Sequence, residues 1–322
     1  MCYLSLCLVV CLFQIQCASK SPTGTVTLKS PVSGKDLIGE LSKGKNVLLQ
    51  GATITGDIDF TALSTAYRAS ATIEQTEVNG SLTLVNCTVK GKVIGYSYSK
   101  EVIKTVVFRK NFSCPGTHFE GEVSLRDAQM QGLIDFTGAI FDKPVTFEGA
   151  NWKSRAQFIK AVFYDEARFQ SAIFENNVSF MDANFEGICG FQGAVFFTDA
   201  LFNNAQFLRY ADFGNLSARG NLMFNYAKFS KQAIFGNSQL HGRSEWMNAV
   251  FENQADFSQT TFYGQVRWVK TEWKGALNLE NAVFVLGKPD VQGVILSDKG
   301  QLQINGARTA SGLMLQSGDV FK

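Results

Sequence analysis

The stretch that decides the fold is Ala156-Gln157-Phe158-Ile159-Lys160-Ala161-Val162-Phe163-Tyr164-Asp165-Glu166-Ala167-Arg168-Phe169-Gln170-Ser171-Ala172-Ile173-Phe174. A small residue stands two places before each phenylalanine, and the phenylalanines are five, six and five residues apart. A small-x-large triplet has period two, which puts both side chains on one face of a short strand. Stepping outward by eleven residues gives Phe136, Phe147, Phe158 and so on through Phe235, Trp246, Phe257 and Trp268, without one non-aromatic member. A second series, offset by five, runs from Phe141 to Phe284 and is interrupted only by Ala218 and Leu240. These two series account for most of the 28 phenylalanines in 322 residues, so the excess reflects a repeated structural rule.

An eleven-residue period also describes a right-handed helical coiled coil. At about 98° per residue, however, the two aromatic series would lie about 130° apart and could not share one seam. Gly138, Gly149, Gly187, Gly193 and Gly264 suit corners between short strands better than helix interiors. Each unit is thus a three-residue strand plus a corner, too short to bury anything alone. Coiling and stacking, at ~4.8 Å per coil, makes the apolar faces meet.

The triplets ending at Phe158, Phe163, Phe169, Phe174 and Phe257 resemble the motif of the pentapeptide-repeat proteins. The resemblance is continuous over roughly 112–284; the extra residue in alternate units departs from the strict five-residue form. It implies an all-β fold, a right-handed quadrilateral parallel β-helix with four units, or 22 residues, per coil. One ladder then reads Cys114, Phe136, Phe158 and onward to Trp268, and the next Phe119, Phe141, Phe163 and onward to Trp273. The third and fourth ladders start at Leu125 and Met130 and end at Leu279 and Phe284. Ala218, with Leu216 two places before it, breaks the fourth, where a local slackening is expected.

Outside this core the expected organisation is a signal segment at 1–17, an N-terminal cap with irregular first coils at 18–111, the regular solenoid at 112–284, and an insertion with a capping coil at 285–322. Leu4–Ile15 is nearly all apolar, the length of a signal core and short of the ~20 residues a membrane span requires. Cys17 stands where a lipoprotein carries its lipidated cysteine, so lipidation and simple cleavage are alternatives. The expected location is exported: periplasmic, outer-membrane-anchored or extracellular, with membrane attachment only through such an anchor. Segments 61–79 and 95–111 read as excursions from the first coils, Asp36–Lys43 as a capping helix, and Leu302–Leu315 as a last coil without phenylalanine.

Chemistry is sparse. The net charge of +2 argues against both nucleic-acid binding and imitation of DNA, as some cytosolic pentapeptide-repeat proteins do for topoisomerases. Cys87, Cys114 and Cys189 index inward and have no zinc-site spacing. His118 and His241 index outward, without a nucleophile motif. Polysaccharide-cleaving β-helices cluster carboxylates on neighbouring coils, and the column Glu120, Asp142, Tyr164, Glu186, Leu208, Ser230 does not. No catalytic, cofactor or metal site is expected.

One outward column differs: Phe197, Arg219, His241 and Tyr263, with Leu201, Met223, Glu245 and Arg267 on the adjoining side. Aromatic, Met and Arg residues are the types enriched at recognition surfaces. Phe197, Leu201, Arg219, Met223, His241, Tyr263 and Arg267 are therefore the candidate partner-binding stripe. The expected function is a non-enzymatic extracytoplasmic scaffold for a protein or glycan partner. The alternative is a glycan-binding or polysaccharide-processing β-helix.

Overall fold

In the computed structural model, residues 24–297 and 301–320 are described. They form a four-sided β-solenoid whose sides are sheets of 11, 12, 11 and 13 strands. Along the coils the pairing is parallel; Val178 pairs with Ala200 and Ala200 with Leu222, a step of 22 residues. Most strands are only two residues long, as the short triplets require.

The alternation of five and six residues has a structural cause. The first and third sides end in a tight turn: Ala161 donates to the Phe158 carbonyl (3.1 Å), with Lys160 between them at φ 57°. Such a turn demands positive φ at its third residue, which Gly, Asn and Asp tolerate best. Gly138, Gly149, Gly193, Asn204, Asn215, Asn237 and Asn248 all occupy this position. The second and fourth sides end in a wider bend, one residue longer. There Gly187 and Gly264 pack closely: an added Cβ would lie within 2.3 Å of the backbone of the preceding coil.

Outward residues on the first and third sides also serve the backbone. Asp135, Asp212, Asp256 and Asn278 each accept from the amide two residues on, at 2.8–3.0 Å. These side chains satisfy turn amides the coil-to-coil ladder does not reach.

Inside, each ring lies over its equivalent one coil away. Phe158, Phe180 and Phe202 stack at 4.8 and 4.9 Å, and Phe163, Phe185 and Phe207 at 4.7 and 5.0 Å. Rings of the first and third ladders meet edge to face, as Phe180 and Phe191 do at 5.2 Å and 84°. Both arrangements are favoured by the ring quadrupole over an eclipsed sandwich. The four indole N–H groups of Trp152, Trp246, Trp268 and Trp273 are buried without an oxygen partner, the cost of filling a dry bore with tryptophan.

At Ala218 the ring stack is interrupted, yet the backbone ladder crosses without a gap: Arg219 donates to Phe196 (2.8 Å) and His241 to Ala218 (2.8 Å). The triplet Leu216-Ser217-Ala218 is inverted, large-x-small, and both ends are 1% exposed. The turn amide of Leu216 donates to Ser238 Oγ (3.1 Å), which donates on to the Phe213 carbonyl (3.1 Å). The slackening is thus a local rewiring of one turn.

The N-terminal end is closed by the helix Gly34–Ser42, near the expected Asp36–Lys43. Ser33 caps it by accepting from Asp36 N–H (3.0 Å), and Leu37, Ile38 and Leu41 are buried on the first coils. The expected excursions are hairpins: Ala66–Arg68 pairs antiparallel with Ile73–Val78, and Tyr96–Ser99 with Val102–Phe108. Their returning strands pair parallel with each other and continue the fourth side. At the C-terminus, Ile295–Leu296, Leu302–Gln303 and Arg308–Thr309 add the last coil. Leu313–Leu315 does not add another side; it folds back, Met314 pairing antiparallel with Arg308, and Leu315 and Val320 are buried. The expected signal segment 1–17, including Cys17, lies outside the described residues.

Candidate functional site

Because every outward residue is repeated at the coil spacing, a column is a rigid row along the axis. The row Phe197, Arg219, His241, Tyr263 runs at the corner where the fourth side meets the first. Each amide donates to the preceding coil at 2.8–2.9 Å, which fixes the backbone beneath it. All four side chains are exposed. They pair off: the Arg219 guanidinium lies 4.4 Å from the Phe197 ring centroid, and His241 stacks on Tyr263 at 4.3 Å and 2°.

The adjoining row, Leu201, Met223, Glu245, Arg267, is held by strand register on the first side. Leu201, Met223 and Arg267 are half-buried; Glu245 is 4% exposed despite its charge. Its burial is compensated: Asn225 Nδ2 donates to Oε2 (2.9 Å), while Arg243 and Arg267 approach Oε1 at 3.2 and 3.4 Å. Burial pushes this carboxyl up, but the hydrogen bonds from Asn225 and Arg243 and the two guanidinium charges outweigh it, so Glu245 titrates below its ordinary value. Arg267 also reaches Asp290 (3.7 Å), tying the C-terminal insertion to the row.

Between the two rows the corner carries Gly220, Gly242 and Gly264. An added Cβ at Gly242 would lie 2.1 Å from the Gly220 carbonyl oxygen, and at Gly264 2.0 Å from that of Gly242. The rows are therefore separated by bare backbone. All seven stripe residues lie along this one edge. Sequence indexing overlooked Asn225, Arg243, Asp290, Gly220 and Gly242. The signal for Arg243 and Asn225 was available, since they sit 24 and 22 residues from Arg267 and Met247, but both occupy corner and turn positions outside the strand columns that were indexed.

Elsewhere two residues that could carry chemistry have structural partners. His118 lies 2.9 Å from Asp142, one coil on, and Tyr210 donates to Asp212 (3.3 Å). Burial and the Asp212 charge push the Tyr210 hydroxyl up to about 12. Cys87, Cys114 and Cys189 are buried and unpaired, and burial pushes Cys114 and Cys189 well up, the opposite of a reactive thiol. Among the described residues no three His, Cys, Asp or Glu side chains are grouped to hold a metal ion. No helix among them is long and apolar enough to cross a membrane.

No curated protein and no solved structure matches the chain. Residues 147–195 match the family model described as Pentapeptide repeats (9 copies). That segment holds the decisive stretch, and its 22-residue register continues on both sides of it. With this match, the indexed ladders and the four-sided coil, the chain carries pentapeptide repeats and has the pentapeptide-repeat fold, with a phenylalanine-rich interior.

Proposed function

We propose that this solenoid is an exported, non-enzymatic scaffold that presents the edge between its fourth and first sides to a protein partner. The observation that carries the reading is the pairing of Phe197 with Arg219 and His241 with Tyr263 on consecutive coils. Side chains ordered before binding lose little conformational freedom when a partner arrives. Exposed aromatic and arginine residues are the common anchors of protein interfaces.

The same geometry weighs between the two occupant classes. A sugar ring stacks on an exposed aromatic face. Here the His241 and Tyr263 faces are turned toward each other along the axis, and Arg219 covers Phe197. The exposed row thus offers a phenol, an imidazole and a guanidinium beside partly covered rings, a polar and apolar mixture that suits a protein surface. Glycan binding remains the second reading, favoured by Tyr263 and Arg267 standing on neighbouring rows.

The test combines cell fractionation with photo-crosslinking from positions 197, 241 and 263. The expected result is an extracytoplasmic chain that captures one protein, with capture lost in Arg219→Ala and Tyr263→Ala. No capture from any position, or a cytoplasmic chain, refutes the reading. Retention on a polysaccharide panel, lost with Tyr263→Ala or Arg267→Ala, transfers support to the glycan alternative.

A further inference from the structure

We propose that the chain is N-glycosylated at Asn79, Asn86, Asn111, Asn177 and Asn215, and that these glycans leave the C-terminal third bare. The inference rests on the export reading, because N-linked sugar is added to chains that leave the cytoplasm. Each of the five begins an Asn-x-Ser/Thr acceptor triplet without proline: Asn79-Gly-Ser81, Asn86-Cys-Thr88, Asn111-Phe-Ser113, Asn177-Val-Ser179 and Asn215-Leu-Ser217.

A triplet alone is a weak signal; its placement is the stronger one. All five asparagines are exposed, whereas eight of the other fourteen, Asn151, Asn184 and Asn225 among them, are half-buried. Asn79, Asn86, Asn111 and Asn177 stand immediately outside a strand and Asn215 within a turn, corners where a branched sugar meets solvent and displaces nothing from the core. The middle residue of the triplet does the burying in four of them: Cys87, Phe112, Val178 and Leu216 point inward at 2% exposure or less. The hydroxyl residue that follows then returns to the outer face. Asn111 uses its Oδ1 to accept from Leu133 N–H (3.0 Å), which leaves the amide nitrogen, the atom glycosylated, unengaged by that bond.

The distribution is uneven in a useful way. Asn79, Asn111 and Asn177 lie on the corner between the fourth and first sides, the same edge as the stripe but toward the N-terminus. No acceptor triplet occurs after Ser217. The coils of His241, Tyr263 and Arg267 are thus free of sugar, while the Arg219 coil carries its one acceptor, Asn215, at the turn between the third and fourth sides.

The chain purified from its native source, with its N-terminal segment processed as it is there, should show intact mass above the polypeptide mass. Peptide N-glycosidase should remove the excess and convert each occupied asparagine to aspartate. Asn→Gln at each site should delete one step. Ser113→Ala should delete the Asn111 step and Ser113→Thr should keep it, while loss of the same step in Asn111→Gln, with Ser113 intact, separates N-linked from hydroxyl-linked sugar. An extracytoplasmic chain of unmodified mass overturns the proposal and leaves the export reading standing. A cytoplasmic, unmodified chain overturns the export reading itself. For that case, a chain carrying a proven secretory signal in a glycosylating host decides the sites: failure to modify any of the five refutes them directly.

Discussion

Restoring small-x-large order at the inverted triplet provides the sharpest test of how the core is specified. Leu216 and Ala218 are each 1% exposed, and the strand between them is pinned on both sides by ladder bonds of 2.8–3.0 Å. With the coils held at ~4.8 Å, a void at 216 cannot close by collapse. Leu216→Ala should therefore fall in the upper part of the usual range, about 3–5 kcal/mol. Ala218→Phe inserts a ring between Phe196 and Leu240 while Leu216 still occupies the space, an overpacking cost of about 1–3 kcal/mol. In the double variant, the alanine introduced at position 216 vacates the space that the ring introduced at position 218 needs. That ring can then sit one ~4.8 Å step from Phe196, the spacing the other three ladders already use. The double variant should lie within about 1 kcal/mol of the parent, a coupling of at least about 3 kcal/mol, at or above the top of what neighbouring residues show. Urea unfolding followed by tryptophan emission measures the set. Because a solenoid can open piecemeal, hydrogen exchange at the Arg219 and His241 amides supplies the local readout. If the two single costs simply add in the double variant, the triplet's order is not what allocates core volume, and the ladder account is wrong.

Other outcomes follow from single contacts. Ser238→Ala strands the Leu216 amide and the Phe213 carbonyl in the interior and should cost about 1–3 kcal/mol in the same urea experiment. Gly242→Ala should destabilise severely, because its Cβ would lie 2.1 Å from a carbonyl oxygen. Gly138→Asn, at φ 64° with its nearest contact at 3.9 Å, should be tolerated, and equal effects of the two would refute the distinction between corners. Glu245 titrates low when folded, so its contribution is present above the unfolded value of about 4.3 and is lost as pH falls through the lower folded value. Glu245→Gln should flatten the acid limb of stability against pH over that window, and an unchanged limb sinks the ion-network reading. Cys87, Cys114 and Cys189 should resist a thiol reagent at mildly alkaline pH until the chain unfolds; prompt labelling of the native protein would contradict their burial.

The core was legible because burial here is decided locally. A residue two places from its partner on a three-residue strand has one face available, so spacing alone placed Phe158, Phe180 and Phe202 in one ladder. The hairpins at 66–78 and 96–108 were visible only as interruptions. Their antiparallel partners are local, but the parallel match of Ile73–Val78 with Val102–Phe108 depends on register across a 30-residue coil, which no short period announces. For the stripe, indexing put Phe197, Arg219, His241 and Tyr263 in order. It could not decide that Arg219 would cover a ring while Arg267 joined a carboxylate, because that choice rests on side-chain rotamers and on the buried Glu245.

The glycines beside the stripe are not demanded by the coil. The same corner position is filled by Ser154, Asn176 and Thr198 in the three preceding coils, so the wide bend can be built with a side chain present. From Gly220 onward it is glycine three times, and the backbone packs so closely that a methyl group would collide with it. The change begins one coil after Phe197, where the aromatic and arginine row starts, and the last acceptor triplet ends at Ser217. Corner volume, outward residue type and the supply of glycosylation signals thus all change within about one coil, between Phe197 and Gly220, although Gly132 holds the same corner earlier in the rod. Core packing explains none of them, since the inward ladders run through this level apart from the single Ala218 break. A surface requirement confined to the later coils does, and a partner lying along the axis across Gly220, Gly242 and Gly264 would impose all three.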